Sequence, residues 1–259
     1  MKRLKPFFSY FGSKWKLAPH YPKPRFDTII EPFAGSACYS MLYPEREVIL
    51  CEINPVIAGI WKYLISASED RISQLPVNFH DLSEVDAELT QDEKNLIAFN
   101  IRRSNVSPIY HRNNWNYSYP SSFWSIRFRQ RIADQLKQIR HWKTYCTDYS
   151  YLTNGRATWF VDPPYEKKGK PYDYTLLNYA QLGEWCKQRS GQAIVCESAP
   201  ANWLPFFSLG KSASVGQMRS GSCVESIWTN DTPQYSMIQN FENLADFQNF
   251  LLATTQKGD

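Results

Sequence analysis

The chain has 259 residues, 43% of them hydrophobic, which is enough for one large α/β domain or for a core with an inserted region. It contains no run of about 18 apolar residues, and no long apolar region follows the basic first residues, so neither a membrane span nor a signal peptide is predicted. The net charge is +4. The six cysteines form no CxxC pair and share no ligand spacing with the four histidines, which argues against a zinc site. Cys51, Cys146 and Cys196 lie in apolar runs, so we expect them to be reduced core residues.

Strand and helix patterns alternate in the first quarter of the chain. Residues 28–30 form a short apolar run, and a turn of small residues follows at 33–37. A second apolar run, 48–51, ends shortly before Asn54-Pro55, where an N-cap residue and a proline at the first helical position predict the start of a helix. This order predicts a parallel sheet with crossover helices.

The middle of the chain has weak periodicity and uneven charge, and we interpret it as an insertion with loops. Glu69 to Glu93 holds eight acids and one arginine. Arg102 to Lys143 holds nine Lys/Arg and one acid, with seven aromatic residues between Tyr110 and Phe128. Cations interleaved with aromatic rings suit phosphate contacts and base stacking, so a nucleic-acid partner is predicted. The alternative is a solvated helix face packed by its own aromatic residues.

The α/β pattern resumes after the insertion. A helix is predicted from Ser121 or Ser122, because an apolar stripe at helical spacing follows, formed by Trp124, Phe128, Ile132, Leu136 and Ile139. The elements predicted after it are strands at 144–146, 157–161, 193–196 and 226–229 and helices at 179–188 and 244–252.

The most informative motif is Asp162-Pro163-Pro164-Tyr165, which directly follows the predicted strand 157–161. The prolines fix two φ angles and remove two backbone donors, so the chain is stiff there. A carboxylate and a backbone carbonyl on such a segment could accept the two hydrogens of a planar amine, while the ring stacks on its face. The alternative is a proline-rich turn after a strand.

Other candidate residues follow earlier strands. The turn Glu31–Ala37 could let a ligand approach the backbone, because ligands of open α/β sheets bind at the carboxyl ends of strands, or it could be only a tight turn from strand to helix. Glu52 ends the second strand, where an acid can accept from a ribose diol or can stabilise the helix that begins after Asn54. Asp148 could accept from an adenine amine or could lie in a surface turn. Phe8–Lys14 places a ring and a cation beside a flexible turn, without the glycine spacing of a phosphate-binding loop.

In this order, these segments resemble the motifs of Dam-type DNA adenine methyltransferases, which use S-adenosylmethionine. The resemblance covers roughly residues 6–66 and 143–230, and it departs from the family in Gly12-Ser13, where the family often has two glycines. It implies an α/β fold with the mixed sheet of Rossmann-like class I methyltransferases. The catalytic domain would comprise 1–66 and 143–259, and 67–142 would be an inserted, mostly helical and loop region that recognises DNA.

The resemblance also implies roles for particular residues. The catalytic residues would be Asp162, Pro163, Pro164 and Tyr165, which would grip a flipped base. The cofactor-binding residues would be Tyr10, Lys14, Glu31, Phe33, Ala34, Gly35, Glu52, Asp148 and Asp162. From the basic insertion we predict as DNA-binding residues Arg102, Arg103, Arg112, Asn113, Asn114, Asn116, Arg127 and Arg131.

The predicted reaction is transfer of a methyl group to N6 of adenine in double-stranded DNA, with S-adenosylhomocysteine as the product. Gripping and aligning an amine requires no metal. The alternatives are methylation of cytosine N4 and a DNA-binding protein of the same fold that lacks catalysis. The resemblance places the protein in the cytoplasm of a bacterial or phage-infected cell, without a membrane partner. It leaves open whether a restriction enzyme accompanies it.

Overall fold

A computed structural model of the chain describes residues 3–85, 87–102, 105–112, 124–166, 177–213 and 223–231. The chain forms two compact units. The first joins the segment that ends at Trp15 to Phe33–Tyr151, and the second joins Lys16–Pro32 to the chain from Leu152 onward. The predicted insertion, 67–142, lies within the first unit, and its boundaries stay a prediction.

The described residues contain seven strands and five α-helices. The strands are β1 (Thr28–Glu31), β2 (Glu47–Glu52), β3 (Lys143–Cys146), β4 (Ala157–Val161), β5 (Gly191–Ser198), β6 (Phe207–Ala213) and β7 (Cys223–Thr229). The helices are α1 (Pro55–Ser66), α2 (Glu69–Gln74), α3 (Gln91–Ile101), α4 (Ile126–Gln135) and α5 (Tyr179–Lys187). None of these helices is long and apolar enough to cross a membrane.

The second unit contains a mixed sheet in the order β1-β4-β5-β7-β6. β1, β4 and β5 are parallel, whereas β7 runs antiparallel to both β5 and β6. Every side chain of β4 is buried, as expected for a parallel strand that is covered on both faces. β4 ends at Val161, so this buried strand fixes the position from which the Asp162 motif starts.

The first unit contains the parallel pair of β2 and β3, in which Glu52 lies opposite Cys146. α1 follows β2 and begins as predicted, because Pro55 occupies its first turn and the Asn54 side chain accepts a hydrogen bond from the Val56 N–H at 3.0 Å. Parallel strands, crossover helices and the antiparallel β7 confirm the predicted α/β class with a mixed sheet.

Several element predictions were wrong or incomplete. α2 and α3 lie in the region interpreted as a mostly helical and loop insertion, but neither helix was predicted individually, although α3 carries a capping box in which Thr90 and Glu93 bond each other's backbone. α3 shows little amphipathic periodicity because it is buried on nearly all sides. α4 starts after Ser125, whose side chain caps it, whereas Ser121 and Ser122 lie outside the described residues, as does the predicted helix at 244–252.

Two further expectations changed. β6 was not predicted, because Gly210 and Lys211 interrupt its apolar pattern and its pairing with β7 shifts register between Ser208 and Ser212. The expected core residue Cys146 is exposed, since most side chains of β3 face solvent. Cys51 and Cys196 are buried free thiols, as predicted.

Candidate active site

The carboxylate of Glu52 joins the small-residue turn to the start of α1. Its Oε2 accepts a hydrogen bond from the Gly35 N–H at 3.0 Å, and its Oε1 accepts one from the Asn54 N–H at 3.0 Å. Burial raises the pKa of Glu52, while these backbone N–H groups oppose that shift. Glu52 therefore has the structural role that we considered as the alternative, and its predicted contact with a ribose stays a prediction.

Gly35 of this turn lies against Tyr10 of the N-terminal motif Phe8–Lys14. Its φ is +45°, and a Cβ atom at this position would lie 3.3 Å from Cδ1 of Tyr10. The Trp61 Nε1–H donates to the Gly35 carbonyl at 2.8 Å and so fixes the turn from the α1 side. The fold thus brings together three of the predicted cofactor residues, Tyr10, Gly35 and Glu52, around a stretch of backbone that carries no side chain.

Two more predicted cofactor residues lie beside β3. The Phe33 ring packs on Tyr149, with the ring centroids 5.4 Å apart and an interplanar angle of 31°. Asp148 accepts hydrogen bonds from the backbone N–H and the hydroxyl of Ser150, so it begins the 3-10 turn Tyr149–Tyr151. Tyr149 was not predicted as a residue of this site. Its position directly after the candidate acceptor Asp148 is a signal that could have indicated a role there.

The backbone that precedes the motif Phe8–Lys14 is held by residues of the predicted insertion. Gln135 of α4 accepts from the Lys5 N–H at 2.7 Å and donates to the Lys5 carbonyl at 3.0 Å. Arg131 donates to the Pro6 carbonyl at 2.9 Å, and Asn100 donates to the Phe7 carbonyl at 3.2 Å. The backbone that leads to Tyr10 is therefore supported by α3 and α4.

Lys14, at the end of the same motif, is also largely buried. Its side chain is 8% exposed, and its Nζ donates to the Gly12 carbonyl at 3.2 Å. Ala34, another predicted cofactor residue, is buried, and its N–H donates to the Cys51 carbonyl at 3.0 Å. The last two predicted cofactor residues, Glu31 and Asp162, belong to the second unit. Glu31 is buried at the end of β1.

In the second unit, the Asp162–Tyr165 motif is anchored by a buried acid of β7. Glu225 is fully buried, and its Oε1 accepts hydrogen bonds from the hydroxyls of Tyr165 at 2.6 Å and Tyr21 at 2.7 Å. Burial, together with the charges of Asp162 and Glu225, raises the pKa of both tyrosines well above its usual value. The hydroxyl end of the motif's ring is thus fixed inside the protein.

The backbone on either side of Tyr165 is held as well. The Tyr179 hydroxyl donates to the Pro164 carbonyl at 2.7 Å. Oε2 of Glu197, at the end of β5, accepts from the Glu166 N–H at 3.2 Å and from the Trp203 Nε1–H at 3.0 Å. Burial raises the pKa of Glu197. These contacts support the interpretation of a rigid motif and not merely a proline-rich turn.

Sequence reasoning missed four of these supporting residues, Tyr21, Tyr179, Glu197 and Glu225. One signal was present, because Glu197 and Glu225 each interrupt the apolar pattern of a strand, and an acid inside a buried strand needs hydrogen-bonding partners.

Several arginines of the basic block, residues Arg102 to Lys143, bind backbone carbonyls of the first unit. Arg140 donates to the carbonyl groups of Ile65, at 2.6 Å, and Ala67, at the end of α1. Arg129 donates to the Leu75 carbonyl at the end of α2. Cations at helix C-termini satisfy carbonyls that lack a partner in the helix and interact favourably with the helix dipole. Part of the block therefore stabilises the fold.

Arg112, a predicted DNA-binding residue, is buried in the first unit. Its side chain is 2% exposed, its guanidinium donates to the Trp124 carbonyl at 2.9 Å, and it lies over the Phe79 ring. These contacts give Arg112 a supporting role inside the first unit, and its predicted contact with a base stays a prediction. Arg131 is half-buried over Phe128, and its desolvation lowers its pKa to about 10.

The remaining predicted DNA-binding residues divide into two groups. Arg127 is exposed on α4, and Arg102 is half-buried, with its guanidinium 3.5 Å from Nε2 of His111. The others lie outside the described residues: Arg103, Asn113, Asn114 and Asn116.

The family of the chain is shown by comparison with protein families. The model of the D12 class N6 adenine-specific DNA methyltransferases matches residues 10–195. The chain belongs to this family. The match includes Tyr10, the Gly35 turn, Glu52 and the Asp162–Tyr165 motif, so the protein is a methyltransferase of the adenine-specific DNA class, and the predicted family is confirmed.

Solved structures give more distant likenesses. A putative methyltransferase, yhhF, from Escherichia coli is 12% identical, with a TM-score of 0.35 over 83% of this chain and 80% of that one. A conserved hypothetical protein from Streptococcus pyogenes is 11% identical, with a TM-score of 0.33 over 84% of this chain and 92% of that one. No curated protein matches the chain.

Proposed function

We propose that this methyltransferase transfers a methyl group from S-adenosylmethionine to N6 of an adenine that is flipped out of duplex DNA, with S-adenosylhomocysteine as the second product. The observation that carries the proposal is the Asp162–Tyr165 motif, which follows a fully buried strand and is anchored by Glu225 in a chain of the adenine-specific family. Rigid acceptors beside a fixed ring suit the recognition of a planar amine.

The residues around Gly35 fit the cofactor. A turn without a side chain at Gly35 lets a ligand approach its backbone, and the Glu52 oxygens have lone pairs in addition to those that accept from Gly35 and Asn54, so they can accept from a ribose diol. When bound, S-adenosylmethionine supplies an electrophilic methyl group on a sulfonium. The other residues proposed to hold it are Tyr10, Lys14, Glu31, Phe33, Ala34, Asp148 and Asp162.

Asp162 and the Pro163 carbonyl are proposed to accept the two hydrogens of the adenine amine. The lone pair of this amine is delocalised into the ring, which makes it a poor nucleophile. Two fixed acceptors would favour tetrahedral geometry at the nitrogen and stabilise the positive charge that develops as it attacks the methyl carbon. The carbon–sulfur bond would break as the carbon–nitrogen bond forms, and the nitrogen would then lose one proton to solvent. The rigid prolines would keep the amine aligned, which removes much of the entropic cost of the reaction.

Tyr165 is proposed to stack on the flipped base. Taking a base out of the duplex costs a few kcal/mol. Stacking on an aromatic side chain is worth roughly 1–3 kcal/mol, so it would offset part of that cost. Because the Tyr165 hydroxyl is bound by Glu225, the ring is ordered before the base arrives and little further entropy is lost.

The DNA backbone is proposed to be contacted by cations of the first unit that face solvent. Arg127 is the best-supported candidate because it is exposed on α4. Phosphate contacts position the protein, whereas amide side chains can read base edges. The remaining residues proposed for DNA are Arg102, Arg103, Asn113, Asn114 and Asn116.

The test is transfer of a labelled methyl group to unmethylated duplex DNA, followed by digestion to nucleosides. We expect label in N6-methyl-2′-deoxyadenosine, and we expect Asp162→Ala to abolish transfer while it still binds DNA. Label in N4-methyl-2′-deoxycytidine would overturn the choice of base. Absence of both transfer and S-adenosylmethionine binding, measured by calorimetry, would instead favour a DNA-binding protein that lacks catalysis.

A further inference from the structure

A buried acid lies behind the ring that is proposed to stack on the target base. Glu225 is fully buried in the second unit, on β7, opposite Ser198 of β5. One of its oxygens accepts from the Tyr165 hydroxyl at 2.6 Å and from the Tyr21 hydroxyl at 2.7 Å. These distances lie in the range of hydrogen bonds between a hydroxyl and a carboxylate, which are about twice as strong as neutral ones.

We propose that Glu225 is a positioning residue for methyl transfer, which acts by fixing the ring of Tyr165 in the plane that receives the target base. The inference rests on the proposed function and deepens it. A tyrosine ring has two rotatable bonds, and an acceptor at its hydroxyl fixes the end that lies opposite the backbone. Pro163 and Pro164 restrain the backbone end, so the ring is held at both ends.

The rest of the buried group supports this role. Tyr21 donates to the same oxygen as Tyr165, and its ring packs on Phe160 of β4 with the centroids 5.2 Å apart. Glu225 is thereby linked to the strand from which the motif emerges. Because Tyr21 remains as a donor, removal of the Tyr165 hydroxyl leaves a hydrogen bond to Oε1 of Glu225, and the buried acid does not lose all of its solvation.

A hydrogen-bonded hydroxyl also affects how the ring binds a base. A phenol that donates to a carboxylate carries more electron density on its ring face. The adenine gains positive charge as its amine attacks, and an electron-rich face attracts positive charge. The bond from Tyr165 to Glu225 would therefore contribute more in the transition state than in the ground state, which is the condition for an effect on kcat.

The experiment compares Glu225→Gln, Tyr165→Phe and their double variant with the unmodified protein, with Tyr21→Phe as the matched control. Each of the first two weakens or removes the same hydrogen bond, so we expect each to lower kcat roughly tenfold. The double variant should be no slower than the slower single variant, because the two residues act through one bond. The Kd of S-adenosylmethionine, measured by calorimetry, should not change.

Tyr21→Phe should lower kcat less than Tyr165→Phe does, because the bond from Tyr165 to Glu225 is retained. An unchanged kcat in Glu225→Gln, or a double variant whose loss equals the product of the single losses, would overturn the inference. If Glu225→Gln does not fold, Tyr165→Phe decides, and an unchanged kcat in it overturns the inference. Absence of transfer by the unmodified protein would overturn the proposed function, and the inference with it.

Discussion

Arg71 and Glu93 form a bidentate ion pair in the first unit. Nε of Arg71 donates to Oε1 of Glu93 at 2.6 Å, and its Nη2 donates to Oε2 at 2.8 Å. Glu93 also accepts from the Tyr63 hydroxyl at 2.9 Å and from the Thr90 N–H at 2.8 Å. One buried carboxylate thus links α1, α2 and the start of α3, the helices that precede the basic block.

Replacement of this carboxylate by an amide should destabilise the protein. Glu93→Gln retains the size of the side chain, but it places an N–H group against donors and removes the charge. We expect a loss of about 1–3 kcal/mol in the free energy of unfolding, measured by denaturant titration. Glu88→Gln is the control, because Glu88 is exposed and only its backbone carbonyl accepts from Arg71. Equal stability of the two variants would contradict the prediction.

The same pair predicts how stability depends on pH. Burial alone would raise the pKa of Glu93, but the hydrogen bonds from Arg71, Thr90 and Tyr63 outweigh it and lower the pKa to about 2. A carboxyl with a depressed pKa contributes fully above its unfolded value and loses that contribution as the pH falls. The unmodified protein should therefore lose stability between about pH 4.5 and 2, and Glu93→Gln should lose less over this interval. Parallel curves for both proteins would contradict this.

Gly35→Ala should weaken cofactor binding. The φ of +45° is unfavourable for alanine, and the new Cβ would lie 3.3 Å from the Tyr10 ring. We expect a loss of about 1 kcal/mol or more in stability and a higher Kd for S-adenosylmethionine in calorimetry. Gly155→Ala is the matched control, since a Cβ there would meet nothing within 4 Å. An unchanged Kd in Gly35→Ala would show that the turn does not contact the cofactor.

The success of sequence reasoning depended on how local each signal was. Residues 157–161 of β4 and 193–196 of β5 are largely apolar, and Asn54-Pro55 marks the start of α1, so these elements could be predicted. α3 could not, because its burial on nearly all sides removes the amphipathic pattern and its Thr90–Glu93 cap was counted only as charge. The Glu225 site is non-local, since Tyr21 and Glu225 lie 204 residues apart.

The roles of the arginines in the basic block also depend on contacts that are not local in the sequence. Its charge pointed to nucleic acid as a partner, and the family of the chain is one of DNA methyltransferases. Composition could not show which arginines are used by the fold, because that depends on where the carbonyls at the ends of α1 and α2 lie. The structure makes this division testable by comparison of two arginines of the block.

Arg127→Ala should change DNA binding, whereas Arg140→Ala should change thermal stability. Arg127 is exposed, so its loss should weaken DNA binding and reduce the slope of log K against log salt by about 1, without a change in melting temperature. Arg140 donates to the Ile65 and Ala67 carbonyls, so its loss should lower the melting temperature and leave the slope unchanged. Binding titrations over a range of salt, together with thermal melts, check both. A salt slope that changes only in Arg140→Ala would contradict the assignment.

Gln135→Ala should weaken S-adenosylmethionine binding from a position on α4, outside the proposed cofactor residues. Its amide bonds both backbone groups of Lys5, and the chain continues from there to Tyr10 and Lys14. Loss of two hydrogen bonds of roughly 1 kcal/mol each should loosen this segment, and we expect the Kd to rise by up to about thirtyfold.

Gln130→Ala provides the control on the same helix. Gln130 is exposed, and in the described part of the chain its side chain donates one hydrogen bond, to Asp134 of the same helix at 2.9 Å. Its replacement should therefore leave the Kd unchanged. Calorimetry on both variants separates support of the N-terminal motif from a general effect on α4. If Gln135→Ala binds S-adenosylmethionine as tightly as Gln130→Ala does, the Lys5 contacts serve the fold alone. A higher Kd only in Gln135→Ala would mean that the predicted DNA-recognition region also supports the cofactor motif.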